Sequence, residues 1–298
     1  MLAAIQFPGL QPEIFSITVF GTELALRWYA LAYICGIALG WWLVARMMKR
    51  PALWRGGAPM APKKAEDLLT WMVLGVILGG RLGYVLFYQW DYYRENLGEI
   101  AAVWQGGMSF HGGFLGVVLG VVGFSLANKA PMLKVGDAVA TVAPIGIFFG
   151  RLANFVNAEL WGRPTTLPWG VIFPGPAAQD CAAEFGALCA RHPSQLYEAG
   201  LEGLLLGAVL FWGVWRRGWL RTPGKAIGVF LLGYGLSRVI VEGFRQADAQ
   251  FITPDNPWGH VWRLGQDAEA FGLTMGQVLS LPMVALGVLV LLLVRRRA

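Results

Sequence analysis

Three arginines, Arg81, Arg151 and Arg238, lie inside stretches of chain that are otherwise apolar. A guanidinium near the bilayer centre costs about 2.5–3.5 kcal/mol on insertion scales, so each needs a partner or a wet cavity. It stays charged at any accessible pH, and its planar fork matches phosphate. A phosphate-bearing lipid is therefore the ligand these residues suggest. Arg151 stands in the densest polar cluster of the chain, Gly150-Arg151-Leu152-Ala153-Asn154-Phe155-Val156-Asn157-Ala158-Glu159-Leu160-Trp161-Gly162. Arg151 and Asn154 are three apart and share one helix face. Asn157, Glu159 and Gly162 follow as the apolar stretch ends. The alternative is a purely structural ion pair of Arg151 with Asp137 or Glu242.

A second constellation is Tyr234, Arg238, Glu242 and Arg245. The first three are spaced i,i+4, which puts a phenol, a guanidinium and a carboxylate in a row on one helix face. A plain intrahelical ion pair accounts for Glu242 with one arginine, but not for Tyr234 and two arginines together. That face is expected to line a polar cavity. His111, in Phe110-His111-Gly112-Gly113-Phe114, stands at the entrance of another apolar stretch beside glycines that would let a substrate approach. An imidazole titrates near pH 6.5 and can act as base or hydrogen-bond donor, although a lone histidine is often structural. Arg81 is as well suited to pairing as to holding a ligand.

The elements that carry these residues follow from composition. Hydrophobic residues make up 56% of the 298, and charged residues only 14%, against roughly 25% in a soluble domain. The expected fold is an all-α integral membrane protein. About seven spans of ~20 residues fit, near Leu24–Val44, Leu68–Tyr88, Phe110–Ala127, Gly136–Phe155, Gln195–Val214, Lys225–Phe244 and Thr274–Val294. The chain thus reads as a single polytopic membrane domain (1–298). A small head (157–194) is inserted between spans four and five, and a second outer loop (246–273) lies on the same face. Both are rich in proline and glycine.

Basic residues set the orientation. Arg46, Lys49, Arg50, Arg55, Lys63, Lys64, Lys129, Lys134, Arg216, Arg217, Arg221, Lys225 and Arg295–Arg297 fall on one side. The other side carries only Arg94, Arg163, Arg191, Arg245 and Arg263, with Asp91, Glu95, Glu99, Asp180, Glu184, Asp248, Asp255, Asp267 and Glu269. The N-terminus is expected outside and the C-terminus in the cytoplasm. The net charge of +6 is a topology signal, because the basic residues flank spans instead of interleaving with base-stacking aromatics; no nucleic-acid partner is expected.

Met1–Gly21 lacks a basic start and contains Pro8 and Pro12, so it reads as an amphipathic segment at the outer interface and not as a signal peptide. The chain holds 40 glycines, and most of those within spans are expected to serve close helix packing. Cys35 packs as a small hydrophobe, and a bridge between Cys181 and Cys189 is feasible in an oxidising compartment. No metal or other cofactor is expected: His192 and His260 lie in separate loops, no His/Cys/Asp set has ligand spacing, and no G-x-S-x-G elbow occurs. The two halves show no inverted repeat, which counts against a paired-repeat transporter. A lipid or anionic-metabolite transporter remains the rival from another class, with a structural lipid-binding protein behind it.

Taken together, these motifs resemble the bacterial prolipoprotein diacylglyceryl transferase family. Gly150–Gly162 is similar to that family's signature, G-R-x-G-N-F-x-N-x-E-x-x-G, with Ala153 in place of a glycine. Arg27-Trp28-Tyr29, Gly79–Tyr84, Gly106–Gly113, His192-Pro193-Ser194-Gln195-Leu196-Tyr197-Glu198 and Tyr234–Arg245 also match, and Phe114 stands where leucine is common. The resemblance implies an enzyme of the bacterial cytoplasmic (inner) membrane. Its expected reaction moves the sn-1,2-diacylglyceryl group of phosphatidylglycerol to the lipobox cysteine thiol of a preprolipoprotein signal peptide. A thioether forms, and glycerol phosphate leaves. The partners are then membrane lipids, phosphatidylglycerol among them, and lipobox signal peptides. Arg151 and Arg238 are candidates to clamp the departing phosphate, with Asn154 and Tyr234 as neutral donors. Glu242 would orient Arg238, and Arg245 would hold the headgroup or gate the opening. Glu159 and Gly162 are site residues through the signature, and Tyr29 is implied by the resemblance without a defined role. The thiol, of ordinary pKa ~8.5, would be deprotonated by His111 or by the arginine field alone.

Overall fold

The computed structural model describes residues 4–19, 22–181, 188–265, 267 and 270–296. Glu184, Glu269 and Arg297 of the charge comparison lie outside them, as do residues 182–187 of the expected head. Strands β1 (Ile5–Gln6), β2 (Glu13–Val19) and β3 (Thr22–Arg27) come first. The long helices are α1 (Trp28–Met48), α2 (Lys64–Phe87), α3 (Phe110–Ala127), α4 (Met132–Val156), α5 (Ser194–Arg217), α6 (Lys225–Glu242) and α7 (Met275–Arg295). Strand β4 (Val171–Ile172) precedes α5, and β5 (His260–Arg263) and β6 (Gly272–Thr274) precede α7. Among the described residues five helices, α1, α2, α4, α5 and α7, are long and apolar enough to cross a membrane. The apolar part of α3 is shorter, His111–Ala127, and α6 carries Lys225, Arg238 and Glu242 along 18 residues.

The molecule is mostly helical, and short strands precede α1, α5 and α7. The expected first span began at Leu24, which belongs to β3; the helix starts at Trp28. Within the segment expected at the interface, Ile5–Gln6 form β1 and Glu13–Val19 form β2, which pairs antiparallel with β3 in register from Glu13↔Arg27 to Val19↔Thr22 with one bulge. Its run Glu13-Ile14-Phe15-Ser16-Ile17-Thr18-Val19 is rich in β-branched residues, which suit a pleated surface. Strand β1 pairs in parallel with β4, and β5 with β6 antiparallel.

Two compact units divide the chain. One comprises Met1–Gly40, Ala140–Arg217 and Lys225–Ala298; the other comprises Trp41–Val139 and Gly218–Gly224. In the second unit α2 and α3 meet along glycines. A Cβ added at Gly83 would lie 2.8 Å from the Cα of Gly112, and one at Gly79 would lie 2.9 Å from the Cα of Gly116. Such proximity of backbones is open only to glycine and holds helices together where lipid offers no hydrophobic drive. Gly112, expected to clear space for a substrate, is therefore a packing residue.

Arg81 also acts within this unit. Its Nε donates to the carbonyl of Ile100 at 2.8 Å, Nη1 to Gly106 at 2.6 Å and Gly107 at 3.3 Å, and Nη2 to Glu99 at 2.7 Å. Its guanidinium carbon lies 5.0 Å from the Tyr93 ring centroid. Only 3% exposed, it ties residues 99–107 to α2, and its fork is filled by backbone.

The first unit holds the pair α6–α7, which packs through Gly228 against Leu291, Gly235 against Val284 and Gly287 against Leu232. Helix α5 is not regular: Ala199–Leu205 form a π-helix between two α-helical parts. Its Gly203 faces Phe148 of α4, where an added Cβ would come within 2.8 Å of the Phe148 Cα. That approach brings the following turn of α4, with Arg151, to the polar side of α5.

Candidate functional site

The site is built around a carboxylate. Glu198 closes the first part of α5 with its side chain fully buried. Oε2 lies 3.3 Å from Nε of Arg151. Oε1 accepts from Nη1 of Arg238 and lies 3.4 Å from Nη1 of Arg245. Three guanidiniums thus converge on one carboxylate from α4, from α6 and from the chain beyond α6. Like charges so close need a shared counter-ion, since breaking a buried pair typically costs about 3–5 kcal/mol.

The face predicted on α6 is present. Arg238 Nη2 reaches Glu242 Oε1 at 2.5 Å, the i,i+4 pair of the sequence pattern. Glu242 is held in turn by the first turn of α7. Thr274 caps that helix, accepting from the Gln277 amide at 3.3 Å, and its hydroxyl donates to Glu242 Oε2 at 2.8 Å. Gly276 leaves the space that the Glu242 carboxylate fills. A helix N-terminus carries partial positive charge and favours such an anion. Tyr234, half-buried on the same face, stacks on Phe230 at 5.8 Å and lies within electrostatic reach of Arg238, Arg151 and Glu198. The two arginines of α4 and α6, read as separate clusters, therefore form one. The partner of Arg151 is Glu198; Glu242 serves Arg238 and Thr274, and Asp137 accepts from the Gly224 amide at 2.7 Å.

The polar segment after Arg151 leaves α4 through a tight turn. Ala158 and Leu160 both adopt positive φ, 53° and 56°, which costs an ordinary side chain and persists only where the surroundings enforce it. The turn points Glu159 back along the helix. Its Oε1 accepts from Asn154 Nδ2 at 2.7 Å, and its backbone carbonyl accepts from Gln195 Nε2 at 2.6 Å. Gly162 then pairs with the chain beyond α6. Its amide donates to the His192 carbonyl at 2.8 Å, a bridge joins it to Arg245, and the next amide, Arg163, donates to Phe244 at 2.9 Å. An added Cβ would lie 2.7 Å from the His192 Cβ and would collide with the Phe244 carbonyl oxygen, so glycine is needed for these backbones to come this close.

Tyr29, in the first turn of α1, lines a cavity of about 430 Å³ with Arg27, Ala30, Asn157 and Glu159. Its hydroxyl is 3.4 Å from that of Tyr33, which feels the charges of Arg151 and Glu159. The segment between α4 and α5 is held by Arg191, 3% exposed, which donates to the carbonyls of Ala178 and Asp180 and lies 4.2 Å from the Trp161 ring. Cys181 and Cys189 are bridged. His192 Nδ1 is 3.1 Å from the Tyr197 hydroxyl, and burial pushes its pKa below the usual histidine value.

Tyr29, Arg151, Asn154, Glu159, Gly162, Tyr234, Arg238, Glu242 and Arg245 all belong to the first unit. His111 belongs to the second, exposed in the first turn of α3 behind the Ser109 cap, whose side chain accepts from Gly112 at 3.2 Å. Two carboxylates of the cluster, Glu198 and Glu202, were not among the expected site residues. Their signal was present: Gln195, Glu198 and Glu202 are polar residues three and four apart in an apolar span, all fully buried.

The sequence profile of the family described as "Prolipoprotein diacylglyceryl transferase" matches residues 14–293. The chain is 63% identical over 289 residues, 96% of both chains, to a Ruegeria pomeroyi protein named phosphatidylglycerol–prolipoprotein diacylglyceryl transferase. A Cereibacter sphaeroides protein of the same name is 58% identical over 297 residues, 100% of both chains. One from Rhizobium meliloti is 46% identical over 288 residues, 96% of this chain and 93% of the relative.

Proposed function

The chain belongs to the prolipoprotein diacylglyceryl transferase family, and from this we propose that it moves the sn-1,2-diacylglyceryl group of phosphatidylglycerol to the lipobox cysteine of preprolipoproteins. This is the first step of lipoprotein maturation. The observation that carries the reading is the convergence of Arg151, Arg238 and Arg245 on Glu198. The reaction breaks a glycerol C–O bond and leaves its electron pair on a phosphate oxygen. What it needs most is fixed positive charge where that negative charge develops, in surroundings that exclude water. Arg151 and Arg238 supply it, as a clamp on the phosphate. Glu198 and Glu242 hold the forks in place beforehand, so little reorganisation accompanies reaction.

The neutral donors flank the clamp: Tyr234 on the α6 face and Asn154 one turn past Arg151, the latter steadied by Glu159. Gly162 fixes Arg245, which holds the headgroup at the outer opening. Tyr29 and its cavity receive the glycerol of the headgroup or the polar residues around the lipobox. His111 is the base for the thiol. A thiolate generated in the arginine field is the alternative, and normal turnover by His111→Gln at neutral pH would establish it.

The topological setting is part of the proposal. The chain crosses the bacterial inner membrane seven times as one polytopic domain, α3 and α6 included, with its N-terminus outside and its C-terminus cytoplasmic. The charge asymmetry of the loops supports this orientation. Residues 157–194 form a periplasmic head and 246–273 a periplasmic loop, which suits a bridged cysteine pair. The test is a proteoliposome assay with phosphatidylglycerol and a lipobox peptide. The expected result is a mass gain of one diacylglyceryl group on the cysteine; flipping of headgroup-labelled lipid without covalent product would refute the reading.

A further inference from the structure

Among the described residues, Glu202 is the carboxylate of the cluster that no hydrogen bond holds. It lies four residues after Glu198, inside the π-helical segment Ala199–Leu205, with 0% exposure. Neither carboxylate oxygen has a hydrogen-bond partner among the described residues. The charges acting on it are Glu198 on its own helix, Arg151 on α4, Arg238 on α6 and Arg245 beyond it. Tyr234, on α6, feels its charge in turn. A π-helical turn is uncommon and is often found at functional sites. Here it places a second acid beside the first without giving it a donor.

The charge count then matters. Arg151, Arg238 and Arg245 stand against Glu198 and Glu242, which leaves one positive charge unmatched. An ionised Glu202 cancels it. A neutral Glu202 leaves it available to one anion. A phosphodiester carries a single negative charge, and a buried site does not tolerate an unmatched one. An anionic lipid entering the cluster with Glu202 ionised would create that imbalance, whereas a proton entering with it restores neutrality.

We propose that Glu202 is a proton-binding site coupled to lipid binding: it takes up a proton when the phosphodiester of phosphatidylglycerol enters the arginine cluster. This rests on the reading that Arg151 and Arg238 hold the lipid phosphate. Glu202 does so without touching the lipid, acting through the charge balance of the arginines. Thermodynamic linkage fixes the sign. If binding adds a proton, affinity is greatest at low pH and falls as pH rises, by up to about tenfold per pH unit between the titrations of the free and occupied states.

The experiment is calorimetric titration of the purified full chain in nanodiscs with short-chain phosphatidylglycerol, in buffers of different ionisation enthalpy and across a pH series. Wild type is expected to take up a proton from buffer with each lipid bound and to bind more weakly as pH rises. Glu202→Gln, the isosteric neutral form, is expected to remain folded, to bind lipid at least as tightly as wild type and to show neither proton uptake nor the pH slope. An infrared difference spectrum on lipid addition should gain a protonated-carboxyl band that Glu202→Gln lacks. A wild type without proton uptake, or a Glu202→Gln protein with undiminished uptake, overturns the proposal while leaving the phosphate clamp in place. Lipid binding unchanged in Arg151→Gln overturns the clamp and this inference with it.

Discussion

Two buried arginine sites in this chain show what decides the role of an intramembrane guanidinium. Arg81 donates to four backbone carbonyls and lies against Tyr93. No carboxylate meets it in an ion pair among the described residues, and every direction of its fork is used. Arg151, Arg238 and Arg245 instead share Glu198, with Glu242 as a second anion. Backbone carbonyls can hold a guanidinium but do not neutralise it, so Arg81 is a staple. A carboxylate shared among three arginines leaves donor capacity and positive charge for another anion. From composition and depth alone these arginines look alike.

The comparison breaks most sharply at the shared anion. Glu198→Gln keeps the shape of the side chain but leaves three guanidiniums around a neutral amide. Diacylglyceryl transfer to a lipobox peptide should fall by at least about a hundredfold, ~2.7 kcal/mol of transition-state stabilisation. Thermal stability should also decline, because the buried arginines lose their counter-ion. Turnover near wild type would show that Glu198 is only a tether.

Next in size is Arg151→Lys. Charge is retained and the planar fork is lost, so an effect here isolates geometry from electrostatics. A loss of at least about tenfold in kcat/KM, ~1.4 kcal/mol, is expected in the same peptide assay. Unchanged kcat/KM would remove Arg151 from the phosphate clamp.

Arg81→Lys should behave in the opposite way. An ammonium cannot reach the carbonyls of Glu99, Ile100 and Gly106 together, and each buried carbonyl left unpaired costs about 1–3 kcal/mol. The midpoint of thermal unfolding in detergent should drop clearly, while turnover per folded molecule stays within about threefold. A large loss of turnover at unchanged stability would place Arg81 with the arginines proposed for the phosphate clamp.

The sequence made the helix faces legible and left their meeting hidden. Arg151 with Asn154, and Tyr234 with Arg238 and Glu242, were readable because helical periodicity puts them on one side of one element. That the two faces share Glu198 depends on how α4, α5 and α6 pack, which no local pattern encodes. Gln195, Glu198 and Glu202 mark a polar stripe on α5, but their spacing alone does not show that the guanidiniums of two other helices meet it. The strands before α1 escaped because an apolar, polar-punctuated segment suits a surface-lying chain and a hairpin alike. The left-handed turn at Ala158 and Leu160 escaped for a different reason: neither residue type announces positive φ, which the surrounding contacts impose.

The smallest expected effect concerns the part of the first unit that fixes Arg245. His192 is coupled to the cluster through backbone, its carbonyl accepting from Gly162, while its ring meets Tyr197 and Phe244. Burial holds its pKa below the unfolded value of about 6.5, so the folded state binds fewer protons than the unfolded one. The stability this confers is present above that pH. It is lost as pH falls through 6.5 toward the folded-state pKa. The midpoint of thermal unfolding should therefore decline modestly on acidification in this window for wild type and much less for His192→Gln, whose amide does not titrate. An identical decline in both would mean that another group carries the pH dependence and that the ring of His192 contributes packing alone.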